Sequence, residues 1–223
     1  MSTLAERLAE VRGSVAEAAR AAGRDPAEIT TIVVTKFHPV TMIRELVDLG
    51  VRDVAENRHQ EAQAKAAELD GLGVTWHFVG QLQSKKARQV RTYADVIHSV
   101  DREGLVRALA SDEGSVDCFI QVNLTDDPDR GGVAPEGVEP LAESVLSAPA
   151  LRLLGLMAVA PLGAPPRPAF ARVRELSERL TRLAPDATNL SMGMSGDYAD
   201  AIIEGATHLR IGTAITGKRP AAQ

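Results

Sequence analysis

Short apolar runs alternate along this chain with segments of helical periodicity, and this alternation constrains the fold more than any other feature. Eight runs predict strands, at 29–36, 53–57, 75–80, 95–100, 117–124, 151–159, 188–193 and 208–216. Strict alternation of strand and helix implies parallel strands joined by crossover helices. We therefore predict an α/β fold, a single-domain (β/α)8 TIM barrel over residues 1–223.

An amphipathic helix precedes the first predicted strand. Leu4, Leu8, Val11 and Val15 recur at helical spacing, and Gly23 ends the pattern. Because no helix is predicted after the eighth strand, we expect this N-terminal helix to cover that sector of the barrel. The alternative is an open doubly wound sheet, but no GxGxxG follows the first strand, which disfavours a dinucleotide-binding version.

Composition and motif content argue against several classes of protein. A net charge of −5 argues against a nucleic-acid partner. No apolar run is long enough to span a bilayer and the N-terminus lacks a signal-peptide core, so we expect a cytoplasmic protein with no membrane partner. The single cysteine, Cys118, is predicted to be a small buried hydrophobe. The histidines show no metal-ligand spacing, so no metal site is predicted.

Two segments near the C-terminus have the character of an anion site. "SMGMSGD" (191–197) follows the seventh strand, and "RIGT" (210–213) closes the eighth. Phosphate sites in barrels often use these two loops, where backbone N–H groups attract anions. Ser195 either donates its hydroxyl or caps a helix, Gly212 permits close approach, and Thr213 adds a hydroxyl. We predict a phosphate site here; the alternative is that these residues only form turns.

Lys36 ends the apolar run of "TTIVVTKFHPV" (30–40). By the two-residue period of a strand it points the same way as Ile32 and Val34. Desolvation lowers the pKa of a lysine and makes its amine nucleophilic. A lysine near a phosphate site indicates an aldehyde that carries a phosphate. Pyridoxal 5′-phosphate (PLP) and the sugar-phosphate substrate of an aldolase both meet this description.

Arg210 favours the first of these two aldehydes. Alternation places it on one face with His208 and Gly212. A guanidinium only donates hydrogen bonds, so beside a pyridine nitrogen it keeps that nitrogen unprotonated and weakens PLP as an electron sink. The alternative is a structural ion pair of Arg210 with Glu56 or Asp101.

Several segments, taken in order, resemble one family. The segments "VTKFHP", "WHFVGQLQSKK", "LSMGMSGDYADAI" and "THLRIGTAITGKR" are similar to those of the pyridoxal phosphate homeostasis proteins, which share the alanine-racemase-like barrel. The resemblance runs nearly end to end. It implies that Lys36 holds PLP as a Schiff base and that Ser195, Gly212 and Thr213 hold the phosphate. It also implies that Arg210 faces the pyridine nitrogen.

The resemblance implies less for two further residues, and the chain departs from the family in places. Asn57 is expected near the cofactor ring. His77 is carried over as a cofactor contact, although a hydrogen-bonded core histidine is an equal interpretation. Lys85 stands where the family usually has Asn, in the basic segment 84–91. We expect that segment to be a solvated helix face, with an anion-binding surface as the alternative.

The absence of a second base favours a binding protein over an enzyme. A two-base racemase needs an acid or base on each face of the cofactor, and the second domain that supplies it in alanine racemases is not found here. We therefore predict a PLP-binding protein of intracellular vitamin B6 homeostasis with little or no turnover, and PLP-dependent apoenzymes as recipients. The alternatives are an amino-acid racemase and a class I aldolase-like enzyme. Without the dimer-building domain, a monomer is expected.

Overall fold

The computed structural model describes residues 2–125, 127 and 130–218. Within them, eight parallel strands pair in sequence order, and the last closes onto the first. The strands are β1 (Thr30–Val34), β2 (Asp53–Glu56), β3 (Thr75–Phe78), β4 (Val96–Val100), β5 (Val116–Val122), β6 (Leu151–Ala158), β7 (Asn189–Ser191) and β8 (His208–Ile211). The predicted TIM barrel is confirmed.

Helices precede β1 and follow each strand in the described part of the chain. They are α1 (Leu4–Ala21), α2 (Val40–Asp48), α3 (His59–Glu68), α4 (Ala87–Arg91), α5 (Glu103–Leu109), α6 (Val138–Leu146), α7 (Pro166–Leu183), α8 (Tyr198–Ile203) and α9 (Thr213–Thr216). Helix α1 begins with a capping box: the Glu6 N–H donates to the Thr3 hydroxyl, and the Thr3 N–H donates to the Glu6 carboxylate.

The end of the barrel differs from the sequence prediction. β8 ends at Ile211, and the N–H groups of Ile215 and Thr216 both donate to the Gly212 carbonyl. Residues predicted as the end of a strand therefore form the helical turn α9, so the expectation that no helix follows the eighth strand is wrong. A turn this short leaves the sector open, and α1 fills it as predicted. The Arg7 Nε donates to the Ile215 carbonyl at 2.7 Å.

Apolar side chains lie mainly outside the barrel, between strands and helices. Val33, Leu209 and Ile211 belong to this large outer core. The barrel interior holds a small apolar cluster of Val96, Phe119 and Met157. The other interior side chains are largely polar, so polar groups line the barrel axis up to its rim.

The structure also shows the surroundings of the single cysteine and the length and polarity of the helices. Cys118 is fully buried, and burial, with a further contribution from Asp117, raises its pKa to about 12, as expected of an unreactive core residue. Among the described residues, every helix is too short or too polar to cross a bilayer.

Candidate functional site

Lys36 lies in the turn after β1, two residues beyond the end of the strand at Val34. Its side chain is half-buried, less enclosed than the apolar run before it suggested, and its Nζ lies 5.9 Å from the centre of the Phe37 ring. β1 pairs with β8, with Val33 opposite Ile211. Lys36 therefore emerges at the carboxyl rim beside the loop that follows β8.

The loops after β7 and β8 form a joined pair at the same rim. The Arg210 N–H donates to the Gly193 carbonyl at 3.0 Å and ties one loop to the other. Gly193 has φ +94°, and a Cβ there would lie 2.7 Å from the Ala201 Cβ, so only glycine suits this turn.

Unpaired N–H groups collect in these two loops. Among the described residues, no acceptor pairs with the backbone N–H groups of Ser195, Gly196, Thr213 and Ala214. The N-cap of α8 is Asp197 and not Ser195, so the helix-cap interpretation of Ser195 does not hold. Free donors from two adjacent loops, with the hydroxyls of Ser195 and Thr213 beside them, suit an anion such as a phosphate.

Arg210 is buried on the inner face of β8, below these loops. Its Nη1 donates to the Ser191 hydroxyl at 2.7 Å and its Nη2 to the Ala158 carbonyl at 2.9 Å. Burial lowers its pKa to about 10, and Asp197 partly offsets this. The alternative ion pair with Glu56 or Asp101 is not formed, because those carboxylates pair with Lys65 and Arg102.

Arg210 is the first member of a hydrogen-bonded chain across the barrel interior. Ser191 Oγ lies 2.8 Å from Nδ1 of His98, whose Nε2 lies 2.9 Å from Nδ1 of His77. His77 Nε2 lies 3.0 Å from the Asp53 carboxylate. Since the Asp53 carboxylate only accepts, one arrangement that satisfies every bond has Ser191 donate to His98, His98 to His77, and His77 to Asp53.

In this arrangement one ring nitrogen of His98 accepts and the other donates, which suits a neutral ring. For His98, burial is the main cause of a pKa well below the ordinary value. Both ring nitrogens of His77 already have hydrogen-bond partners, His98 and Asp53. This placement favours the interpretation of His77 as a core histidine over that of a cofactor contact. The alternating pattern of the strands marks Ser191 and His98 as inward-facing, but only barrel closure shows that they meet.

Asn57 follows β2 at the rim. Its Oδ1 is buried and has no hydrogen-bond partner among the described residues. Gly80, after β3, passes so close that a Cβ there would lie 2.2 Å from the Asn57 carbonyl oxygen. The close approach fixes the backbone of Asn57 and leaves a buried acceptor for a donor from a ligand.

Two charged residues of α3, Glu61 and Lys65, were not identified from the sequence. Lys65 is buried, and its ammonium donates to Glu56 and Glu61, each at 2.7 Å. Burial is the largest influence on the pKa of Glu56 and raises it, although the bond from Lys65 opposes this. The spacing of Glu61 and Lys65 by four residues is a helical-pair signal in the sequence, but their burial depends on the contact with β2.

The basic segment 84–91 divides into two kinds of residue. Lys85 and Arg88 are exposed, as expected of a solvated helix face. Arg91 instead donates to four backbone carbonyls, at Leu109, Glu113, Gly114 and Ala150. Arg91 thus ties α4 to the loops around α5 and β6, a structural role.

Comparisons with known proteins agree with this geometry. The family described as alanine racemase, N-terminal domain, matches residues 8–220. The chain is 44% identical to the pyridoxal phosphate homeostasis protein of Pseudomonas aeruginosa, over 98% of this chain and 97% of that protein. It is similar to the solved structure of PipY of Synechococcus elongatus PCC7942 with PLP bound, with a TM-score of 0.83 and 37% identity over 96% of this chain and 100% of that one.

The solved alanine racemases are more distant. The alanine racemase of Corynebacterium glutamicum has a TM-score of 0.72 at 14% identity, and the match covers 95% of this chain and 62% of the racemase. This likeness shows a common fold alone.

Proposed function

The chain belongs to the pyridoxal phosphate homeostasis family, whose members carry the alanine racemase N-terminal fold, and we infer that it binds PLP and serves PLP homeostasis. One observation carries this inference. At a single rim, the half-buried Lys36 lies beside two loops in which four backbone N–H groups, those of Ser195, Gly196, Thr213 and Ala214, lack acceptors in the described part of the chain. An amine and an anion cradle so arranged match the aldehyde and the phosphate of PLP.

The residues present fit the cofactor group by group. We propose that Lys36 condenses with the aldehyde, with loss of one water, and that Ser195, Gly212 and Thr213 hold the phosphate. A Cβ at Gly212 would lie 3.6 Å from the Val34 Cβ, so the backbone lies close to the strand that carries Lys36. The orphaned Oδ1 of Asn57 provides an acceptor at the same rim.

Arg210 suits a holder better than a catalyst. PLP supplies an electron sink to enzymes through its pyridine ring, most strongly when the ring nitrogen is protonated. We propose that Arg210, as a donor-only group, faces that nitrogen and keeps it unprotonated. The bonds to Ser191 and Ala158 fix the guanidinium in place before a ligand arrives.

Neither tyrosine of the chain has the placement of a second base. Tyr93 lies just past α4 and stacks on His59, with ring centroids 5.9 Å apart. Burial is the main cause of a raised pKa at Tyr93, so its hydroxyl stays protonated at neutral pH and is not available to accept a proton as a base. Tyr198 begins α8, where it packs against the outer core. We propose that the protein holds PLP with little or no turnover.

The decisive experiment is trapping of PLP on the purified protein. We expect the absorption band of an imine between PLP and a lysine, and after borohydride reduction a pyridoxyl group on Lys36. Lys36→Ala should abolish both, whereas Lys85→Ala, at an exposed lysine, should abolish neither. Trapping on Lys65 would contradict the assignment, since all three of its N–H donors are already engaged.

The same preparation tests the two enzymatic alternatives. A sugar-derived mass on Lys36 would indicate an aldolase-like enzyme. Deuterium exchange at the α-carbon of amino acids at enzyme-like rates, on the order of 1 per second or more, would indicate a racemase. The holder proposal requires that both signals be absent while the pyridoxyl adduct is present.

The proposal also covers the localisation, the oligomeric state and the partners of the protein. We propose a cytoplasmic monomer that passes PLP to PLP-dependent apoenzymes. Light scattering tests the monomer, and a dimer at micromolar concentration would contradict it. Transfer is tested by mixing the loaded protein with an apoenzyme together with a scavenger of free PLP. Activation no faster than release of PLP into solution would contradict direct delivery.

A further inference from the structure

A buried ion pair on α3 contacts the turn that carries Lys36 from both sides. The Lys65 ammonium donates to the carbonyl of Thr35, the residue before Lys36, at 3.0 Å. The N–H of Phe37, the residue after Lys36, donates to Glu61 Oε1 at 2.6 Å. Glu61 Oε1 also accepts from Lys65 at 2.7 Å, so one pair of side chains holds both peptide groups that flank Lys36.

The turn that is held in this way has an unfavourable backbone conformation. Phe37 has φ +69°, in the left-handed region, where a residue with a Cβ is strained. Such a conformation persists only where surrounding contacts determine it. The Lys65–Glu61 pair supplies contacts on either side of Lys36, and the His38 N–H, donating to the Thr35 carbonyl, closes the turn.

Burial distinguishes this pair from the other ion pairs with four-residue spacing in the described part of the chain. The side chain of Lys65 is 8% exposed and that of Glu61 is 24% exposed. The pair Glu103 and Arg107 has the same four-residue spacing, but its side chains are 62% and 73% exposed. Exposed pairs of this kind contribute little to stability. A hydrogen bond from a backbone N–H to a carboxylate shielded from water is stronger.

We propose that Glu61 and Lys65 are positioning residues, which hold the backbone on both sides of Lys36 so that its amine is presented to the rim. This inference rests on the proposed function, because it assumes that Lys36 is the residue that takes the aldehyde. Neither side chain is required to touch the cofactor. Both act through the direction that the Thr35 and Phe37 peptide groups give to the Lys36 side chain.

Glu61→Ala is the informative variant. It removes the acceptor of the Phe37 N–H and leaves the buried bond between Lys65 and Glu56 in place. Lys65→Met would instead leave Glu56 buried without its cation, and general unfolding would obscure the local effect. Glu61→Gln keeps an oxygen acceptor and serves as the conservative variant. Glu103→Ala is the matched control.

The first readout needs no cofactor. In the protein without PLP, hydrogen exchange at the Phe37 amide should be at least about tenfold faster in Glu61→Ala than in wild type, because the bond that protects this amide is lost. Glu61→Gln should restore most of the protection. Glu103→Ala should leave the Phe37 amide unchanged, and amides of β5 should be unchanged in all three variants.

The second readout is the affinity for PLP, measured by absorbance titration. Glu61→Ala should weaken it about tenfold or more, with Glu61→Gln close to wild type and Glu103→Ala equal to wild type. Faster exchange with unchanged affinity would overturn the positioning role. The same holds if Glu61→Ala matches Glu103→Ala in both readouts, or if affinity falls only in step with exchange in β5.

The two proposals fail separately. If wild-type protein forms no adduct on Lys36, the proposed function fails, while exchange at the Phe37 amide still reports whether Glu61 holds the turn. If wild-type protein forms the adduct and Glu61→Ala forms it with equal affinity, the positioning role fails and the proposed function stands.

Discussion

Replacement of Ser191 by alanine tests whether Arg210 is anchored through the interior of the barrel. Ser191 is fully buried; its hydroxyl accepts from Arg210 at 2.7 Å and lies 2.8 Å from the His98 ring nitrogen. Alanine leaves both neighbours without that partner. An unsatisfied buried group costs about 1–3 kcal/mol, and more where the group is charged. Ser191→Ala should therefore lower the free energy of unfolding by about 3–5 kcal/mol.

A second buried serine provides the control. Ser99 on β4 is 1% exposed, and its Oγ has no hydrogen-bond partner among the described residues. Ser99→Ala removes an orphaned polar atom, so we expect no loss of stability or a gain of up to about 1 kcal/mol.

Urea denaturation of the protein without PLP measures both effects. The midpoint should move far to lower urea for Ser191→Ala and remain or rise for Ser99→Ala, at unchanged slope. If the two variants lose equal stability, the hydrogen-bonded chain from Arg210 to Asp53 contributes nothing beyond packing. The account of Arg210 as a guanidinium fixed before ligand binding would then be refuted.

The remaining predictions concern pH, close backbone approach and the basic segment. Burial, the main cause, lowers the pKa of His208 from 6.5 to about 4, so the unfolded chain binds one more proton between these values. Unfolding free energy should then fall as pH falls, by up to about 1.4 kcal/mol per unit from this group, and His208→Gln should flatten the measured slope by that amount. Gly80→Ala places a Cβ 2.2 Å from the Asn57 carbonyl oxygen and should cost about 1–3 kcal/mol in urea denaturation and weaken PLP binding in titration. Gly13→Ala, in helix α1 with open space around it, should raise the free energy of unfolding by about 0.5–1 kcal/mol. Equal changes in stability for Gly80→Ala and Gly13→Ala would contradict the close-approach argument. Arg91→Ala should lower the thermal midpoint clearly while Arg88→Ala, at an exposed site, should not, and the reverse order would contradict a structural role for Arg91.

Local patterns in the sequence were sufficient for the fold class and for much of the rim. Apolar runs of strand length between helical segments predict the barrel, because each element must bury one face against its neighbours. Lys36, Ser195 and Thr213 were located as rim residues because parallel strands bring all their carboxyl ends to one edge. Their roles at a cofactor stay predictions until PLP is trapped.

Local patterns were less reliable where tertiary contacts decide the conformation. The segment 212–216 has apolar and β-branched residues that suit a strand, yet it forms a helical turn. The barrel is already closed by β8 on β1 at that point, and α1 contacts the segment from outside. Propensity is a weak guide where packing decides.

The sequence alone determined that this chain closes a parallel barrel with an amine and two glycine-containing loops at one rim. Only the tertiary structure decided what holds these groups in place. His98 and Ser191 are 93 positions apart in the sequence. Lys65 is 30 positions from Thr35, whose carbonyl, next to Lys36, accepts a hydrogen bond from it. No local pattern reports such pairs, because their partners meet only after barrel closure, when burial leaves each polar group dependent on the few partners within reach.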